Sequence, residues 1–469
     1  MKKTMSLCGA LLLAWPALLM AKDYPLEFKT LTAQQAESFP CGTTIYALVE
    51  TPKPATVRKT PPAVSRNPLY GQLANGTSQT LCRMDESKGT GKGYDRLIVD
   101  VNRNGDLTDD PEVSLISSPT PRAASPTSTQ GPFLFGPILG PEDAKIGTNR
   151  PICYAQFYLL SVMVSGSSTP SVSPTIGELI LRPGCYLEAT VEMDGRKHQV
   201  DLVDANCNFH LGDEDRPVTS RSSANASETN WSFQGGDRVV VDRGLAANTV
   251  SALAAAQSAT FAPILYLDAK PYKAALSADS KSLSLEPWTE PLAELDIQPH
   301  GEQVTSVNVA WEKSPNNWVL LQPNLENGKA KVPPGNYRLY ACNLRAKVAS
   351  GDTLVLTGTK RIVGSTLKAE AGAAASLKCG APLTFDLTST GSTSVVTTSA
   401  SLLGSLAQSF MGRPAPEQII RACIIGAGGE TYAPPYLMGD KGRTAPPAPV
   451  FTVLNADGKQ VATGNLEYG

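Results

Sequence analysis

Histidine is scarce in this chain. Among 469 residues there are three, His198, His210 and His300. That leaves little material for zinc sites or imidazole acid–base chemistry. No HExxH, GxSxG or Walker-type phosphate loop occurs, so the usual signatures of metalloproteases, serine hydrolases and nucleotide-binding enzymes are missing. Gly89-Thr90-Gly91-Lys92-Gly93 is glycine-rich but runs into a strand pattern, which suits a turn and not a phosphate cradle. The absence of CxxC removes zinc ribbons and thioredoxin-type sites. Basic side chains are not clustered, and 41 of them face 43 acidic ones, which argues against nucleic acid as a partner. Beyond the first twenty or so residues no apolar run is long enough to cross a bilayer.

What is present begins with a targeting signal. Lys2 and Lys3 precede an apolar run from Leu7 to Met20, and Ala21 suits the last position before cleavage. Residues 1–21 are therefore expected to be removed, leaving an exported chain, secreted or periplasmic, with no membrane span. Nine cysteines occur, and setting aside Cys8 in the leader leaves eight. An even number in an exported chain predicts disulfides. Local geometry suggests Cys185 with Cys207, Cys41 with Cys82, and Cys342 with Cys379, with free buried thiols as the alternative. Abundant Gly and Pro, together with short blocks of Val, Ile, Tyr and Thr, predict a mainly β chain with many turns.

Strands are expected at Thr43–Val49, Tyr94–Val99, Tyr154–Val164 and Ile176–Leu181. A hairpin is expected from Tyr186–Val191 and Lys197–Val203, turned at Asp194-Gly195. Ser117–Pro151 reads as a long surface connection within which Phe133-Leu134-Phe135 docks, and Leu245–Ala259 as the one notable helix. A boundary is placed near Pro287–Pro291. It divides an N-terminal β-rich domain, residues 22–288, from a β-sandwich-like module at 292–388. Residues 389–469 form a further β module or belong to the same domain as 292–388. Lys331-Val332-Pro333-Pro334-Gly335-Asn336-Tyr337-Arg338-Leu339-Tyr340 launches an alternating strand from a Pro-Pro-Gly turn. It resembles the turn-and-strand signature of transthyretin-like or carboxypeptidase-regulatory modules. That resemblance implies a binding or structural module and brings no catalytic residues with it.

The most specific pattern is Asp100-Val101-Asn102-Arg103-Asn104-Gly105-Asp106-Leu107. Side-chain oxygens recur at positions 1, 3 and 5, with glycine at 6 and an apolar residue at 8. A hard cation wants roughly six to eight oxygens at about 2.3–2.6 Å, and such spacing on a tight loop converges them. The stretch resembles the first eight positions of EF-hand and dockerin loops, which implies calcium. Its flanks are strands and not helices. Position 12 is Pro111, so Asp109, Asp110 or Glu112 must supply the last ligand, with Asp106 lending its main-chain carbonyl. The pattern recurs as Asp204, Asn206, Asn208, His210 and Leu211, with Asp213 following, Asp215 at position 12 as the expected last ligand, and Phe209 where glycine is expected. The recurrence suggests a duplicated unit in the N-terminal domain. Asp and Asn also favour metal-free turns, which is the plain alternative.

These readings lead to an exported, non-enzymatic β protein whose loops are rigidified by calcium, acting on a cell-surface glycan or protein partner. The competing expectation is a secreted carbohydrate-binding or hydrolase-associated protein that uses its β modules to bind substrate.

Overall fold

The computed structural model describes residues 21–39, 45–50, 53–75, 78–89, 94–118, 130–160, 176–221, 229–242, 257–298, 303–348, 350–360, 364–380, 382–390, 419–433, 435–439, 442–448, 450–454 and 458–465. The leader, Cys41, His300 and most of the Leu245–Ala259 run lie outside these. The chain is mainly β, as its composition predicts.

A nine-stranded antiparallel sheet is built from consecutive segments. Ile45–Glu50, Leu69–Asn75, Ser78–Glu86 and Tyr94–Val99 pair in turn, as do Gln130–Leu139, Ile152–Leu160 and Ile176–Pro183. Glu112–Val113 and Leu115–Ser117 are one run interrupted only at Ser114. Its first part pairs with Tyr94–Val99 and its second with Gln130–Leu139. Ile176–Pro183 pairs back onto Ile45–Glu50. Through that short run the sheet closes on itself as an up-and-down barrel. Its interior is packed: Leu69, Leu73, Met84, Leu97, Phe135, Phe157 and Leu179 are fully buried in one cluster.

The barrel is inserted into a sandwich. Glu27–Thr30 pairs with Cys185–Met193, so the chain leaves the sandwich at Thr30 and returns at Cys185, its register partner. One sandwich sheet holds Glu27–Thr30, Cys185–Met193, Arg196–Val203, Arg238–Val241 and Gln257–Thr260. The other holds Lys22–Pro25, Ile264–Leu267, Lys270–Leu276 and Ser282–Pro287. Between them lie Tyr24, Leu187, Val200, Val239, Leu265 and Leu285. The expected hairpin turns at Asp194 and Gly195, with φ of 49° and 76°, the left-handed pair that a two-residue turn requires.

A second sandwich follows. Ala293–Gln298, Lys329–Val332 and Ala374–Lys378 cover a larger sheet that contains Gln303–Ser314, Gly335–Lys347, Thr353–Thr359, Thr384–Thr390 and Ile419–Ile425. That sheet runs across residue 389. Ile264 and Tyr266 of the first sandwich share its core. The hairpin Arg216–Arg221 and Thr229–Gln234 adds a second tie. It sets Trp231 and Phe233 against Trp318 and Tyr340, and Arg338 lies over the Trp318 ring at 4.2 Å. Such stacking is favourable where the guanidinium is desolvated.

Three expectations are overturned. The stretch Ser117–Pro151 is not a surface connection throughout, because Gln130–Leu139 is a barrel strand with Phe133, Phe135 and Ile138 facing the core. Its two Gly-Pro steps sit opposite register shifts at Tyr154 and Tyr158, where a proline costs no ladder bond. Gly136 is needed there, since a Cβ would lie 2.5 Å from the Tyr154 ring. The end of the expected helix, Gln257–Thr260, is a strand pairing with Arg238–Val241. The α-helix among the described residues is instead Ala33–Ser38, started by a capping box of Thr32 and Gln35. No disulfide occurs among the described residues: Cys82, Cys153, Cys185, Cys207, Cys342, Cys379 and Cys423 are not bridged. Cys207 belongs to the barrel core, whereas Cys185 lies beside the main chain of Ile152. Burial pushes the Cys82 and Cys185 thiols up to about 12.

The Pro-rich excursion after Ile45–Glu50 is held by a buried ion pair. Arg83, 1% exposed, donates to Thr60 Oγ1 at 2.7 Å, to the Pro61 carbonyl and to Asp85. Asp85 accepts the amides of Ser65 at 2.8 Å and Val64 at 3.1 Å. Asp85→Ala strands the guanidinium and is expected to cost about 3–5 kcal/mol. Replacing Arg83 and Asp85 together by Met and Leu is expected to cost less. Urea unfolding of both variants checks the order, and an equal or larger loss in the double variant refutes it.

Candidate functional site

The strand Tyr94–Val99 delivers Asp100 from the barrel, and Arg196–Val203 delivers Asp204 from the first sandwich. The two loops are wound alike at an offset of 104 residues. Asp100 accepts the amides of Asn104 and Gly105 at 3.1 and 2.9 Å, and Asp204 those of Asn208 and Phe209 at 3.1 and 2.7 Å. Asn102 and Asn206 Oδ1 accept the Asn104 and Asn208 amides at 3.0 and 2.9 Å. Asn104 Oδ1 accepts from Asp106, and Asn208 Oδ1 from His210, at 2.6 and 2.8 Å. The winding needs left-handed residues at positions 4 and 6. They are Arg103 and Gly105, φ 60° and 76°, and Cys207 and Phe209, φ 51° and 68°. These conformations turn successive amides inward, and short Asx side chains receive them.

Both loops close at position 10 and not at position 12. Asp109 Oδ2 accepts the side-chain amides of Asn102 and Asn104 at 3.3 and 2.7 Å. Asp213 Oδ2 does the same for Asn206 and Asn208 at 3.1 and 2.6 Å. Asp215, the expected position-12 ligand, points elsewhere, to the Gly236 amide at 2.8 Å and Arg238 at 2.9 Å. Asp106 is held by Lys59 at 2.7 Å. That contact and Thr108 lower its carboxyl to about 2. His210 is exposed and lends only its amide. His198, buried, bridges Asp242 and Asp268 at 3.0 and 3.2 Å, away from both loops' ligands.

Phe209 has a packing role that its departure from glycine conceals. It belongs to the barrel core together with Cys207. Its ring lies over Gly140, where a Cβ would come within 2.9 Å. The second loop therefore plugs the barrel at the end where Val99, Leu139 and Pro183 lie. The repeat thus comprises the loop alone: one copy grows from the barrel and the other from the sandwich.

Sequence reasoning missed Asp237. It immediately precedes the strand Arg238–Val241, is 1% exposed, and accepts the amides of Gly212 and Asp213 at 2.7 and 3.0 Å through Oδ2. Its Oδ1 is buried without a partner, as is Asp110 Oδ2 beside the first loop. Burial, then the charges of Asp204 and Asp213, hold the Asp237 carboxyl well above the ordinary range. Burial, opposed by loop amides and reinforced by Asp213, raises Asp204 to about 7. Asp110 is raised to about 7 by burial and by Asp100, Asp109 and Asp106, against the Val101 amide. The one available signal was Gly235-Gly236-Asp237, since a Cβ on Gly236 would lie 2.4 Å from the Asp215 amide.

Among the described residues no three His, Cys, Asp or Glu side chains stand in metal-holding geometry. Two of the oxygen donors in each loop are asparagines, which suits a hard, oxygen-seeking cation and not zinc. Each Asx carbonyl oxygen that accepts one amide retains a second lone pair. Comparison with protein-family models, with curated proteins and with solved structures finds no match.

Two outcomes follow from this geometry. Phe209→Gly relieves about 1 kcal/mol of left-handed strain and removes a buried phenyl worth about 3–5 kcal/mol. A net loss of stability by chemical denaturation is therefore expected, and a gain refutes the plug. In chelator, Asp110 and Asp204 keep their protons in the folded chain at a pH where the unfolded chain, near 3.8, has lost them. That contribution is full below pH 4 and is lost as pH rises through about 7. The melting temperature in chelator should fall from pH 5 to pH 8, with a flatter profile in Asp204→Asn. A rise over that range contradicts it.

Proposed function

We propose that this chain is an exported, non-catalytic β protein that binds calcium in its two Asx loops. The cation fixes the junction between barrel and sandwich. One observation carries the reading: Asp237 Oδ1 is buried and unpartnered beside a loop that already holds Asp204 and Asp213. A buried carboxylate with one oxygen left unbonded and like charges beside it is costly, and the guanidinium one residue away is engaged by Asp215. A divalent cation relieves the mutual repulsion and uses the spare lone pairs of Asp204, Asn206, Asn208 and Asp213. In the first loop Asp100, Asn102, Asn104, Asp109 and Asp110 offer the same donor types. The leader-like N-terminus supports export to an environment where calcium is plentiful. The partner is proposed to be a cell-surface glycan or protein. Stacking of a sugar on Trp231 or Trp318 is disfavoured, because both are buried where the hairpin meets the second sandwich.

Calcium at a hundredfold excess over Kd stabilises the native state by about 2.7 kcal/mol per site. Melting in calcium should therefore exceed melting in chelator, and Asp237→Asn should lose most of the second loop's share. Identical melting curves in the two conditions, with no calcium retained by elemental analysis, would refute the proposal.

A further inference from the structure

The two loops touch. Arg103 Nη2 donates to the main-chain carbonyl of Asn208 at 2.7 Å. Arg103 is position 4 of the first loop and is flanked by two of its donors, Asn102 and Asn104. Asn208 is position 5 of the second. We propose that Arg103 couples the loops, so that calcium in one raises the affinity of the other. This rests on the calcium reading above.

The coupling has a physical route. The Asn208 amide is received by both Asp204 and Asn206, and its side chain reaches Asp213. On either side of it Cys207 and Phe209 are buried in the barrel core. The direction of the Asn208 carbonyl is therefore set by how the second loop is wound. Arg103 reads that direction through a charge-assisted bond. The far side of the first loop is already fixed. The Gly105 carbonyl accepts the amides of Arg58 and Lys59 at 2.7 and 3.3 Å, and the Leu107 amide donates to the Lys59 carbonyl at 3.0 Å. The solvent-facing side is Arg103 with its two exposed asparagine neighbours, and that is the side the second loop reaches. A cation that rigidifies Asn208 lowers the ordering cost of the first loop, which is positive cooperativity. Linkage makes the effect reciprocal.

Calcium titration of the full chain by calorimetry tests this. The wild type should bind two calcium ions with a Hill coefficient above one. Arg103→Ala should still bind two, with the coefficient at one and the tighter step weakened roughly fivefold, the low end of allosteric coupling. Arg103→Lys keeps a donor and should restore part of the steepness. A purely structural role would lower melting in chelator and leave the shape of the isotherm alone. Asp109→Asn, at an exposed position, disables the first loop without touching the core. The remaining site should then bind roughly fivefold more weakly than the tighter wild-type step. One calcium per chain, an unchanged isotherm in Arg103→Ala, or an unaltered second site in Asp109→Asn overturns the coupling. No calcium at all overturns the underlying reading instead.

Discussion

Phe209 seated in the barrel end is the contact on which the rest of the assembly turns. Its ring closes the barrel core over Gly140. Its amide is held by Asp204, and its left-handed backbone completes the winding of the second loop. A single residue thus joins a barrel, a sandwich strand and a ring of oxygen donors. Left-handed strain of about 1 kcal/mol is small beside the burial of a phenyl ring, so the conformation that glycine would take more easily is held by packing.

Around that contact, the architecture sets two barrel-end loops side by side. The strands of the barrel end in loops at its rim, and those at one end face the sandwich into which the barrel is inserted. Loops on a rigid rim are where binding residues are best positioned. The first loop is clasped from outside by Arg58 and Lys59, and that segment is anchored by the buried Arg83–Asp85 pair. The second is plugged into the core. They meet at Arg103 and Asn208. Electrostatics adds the asymmetry. The first loop's Asn102, Asn104 and Asp109 are exposed, whereas the second buries Asp204, Asn206, Asn208 and Asp237. The second loop's carboxylates therefore lie in a low dielectric, where they repel one another strongly.

The C-terminal part extends this body. Ile264 and Tyr266 belong to the core of the second sandwich, and the Trp231 hairpin lies against its Trp318 and Tyr340. Glu214, beside the second loop, pairs with Lys313 at 3.4 Å. The loop therefore lies within reach of all three parts, and its order bears on how they pack.

Legible in the residues alone were the β class, the Asp194-Gly195 hairpin, the strand before each loop, and the Asp, Asn, Asn triplets at 100–104 and 204–208. Each of these is local: alternation, a two-residue turn, or an Asx side chain receiving an amide a few positions on. What depends on distant partners was settled by long-range packing. Gln130–Leu139 is a strand despite its prolines because register shifts at Tyr154 and Tyr158 accommodate them. Asp215, correctly spaced for a ligand, turns to Arg238, while Asp237, with no spacing rule to mark it, comes to the second loop. Barrel closure, the plug at Phe209 and the bridge from Arg103 join residues far apart in sequence. No periodicity records such contacts, because they are fixed by which cores the chain buries together.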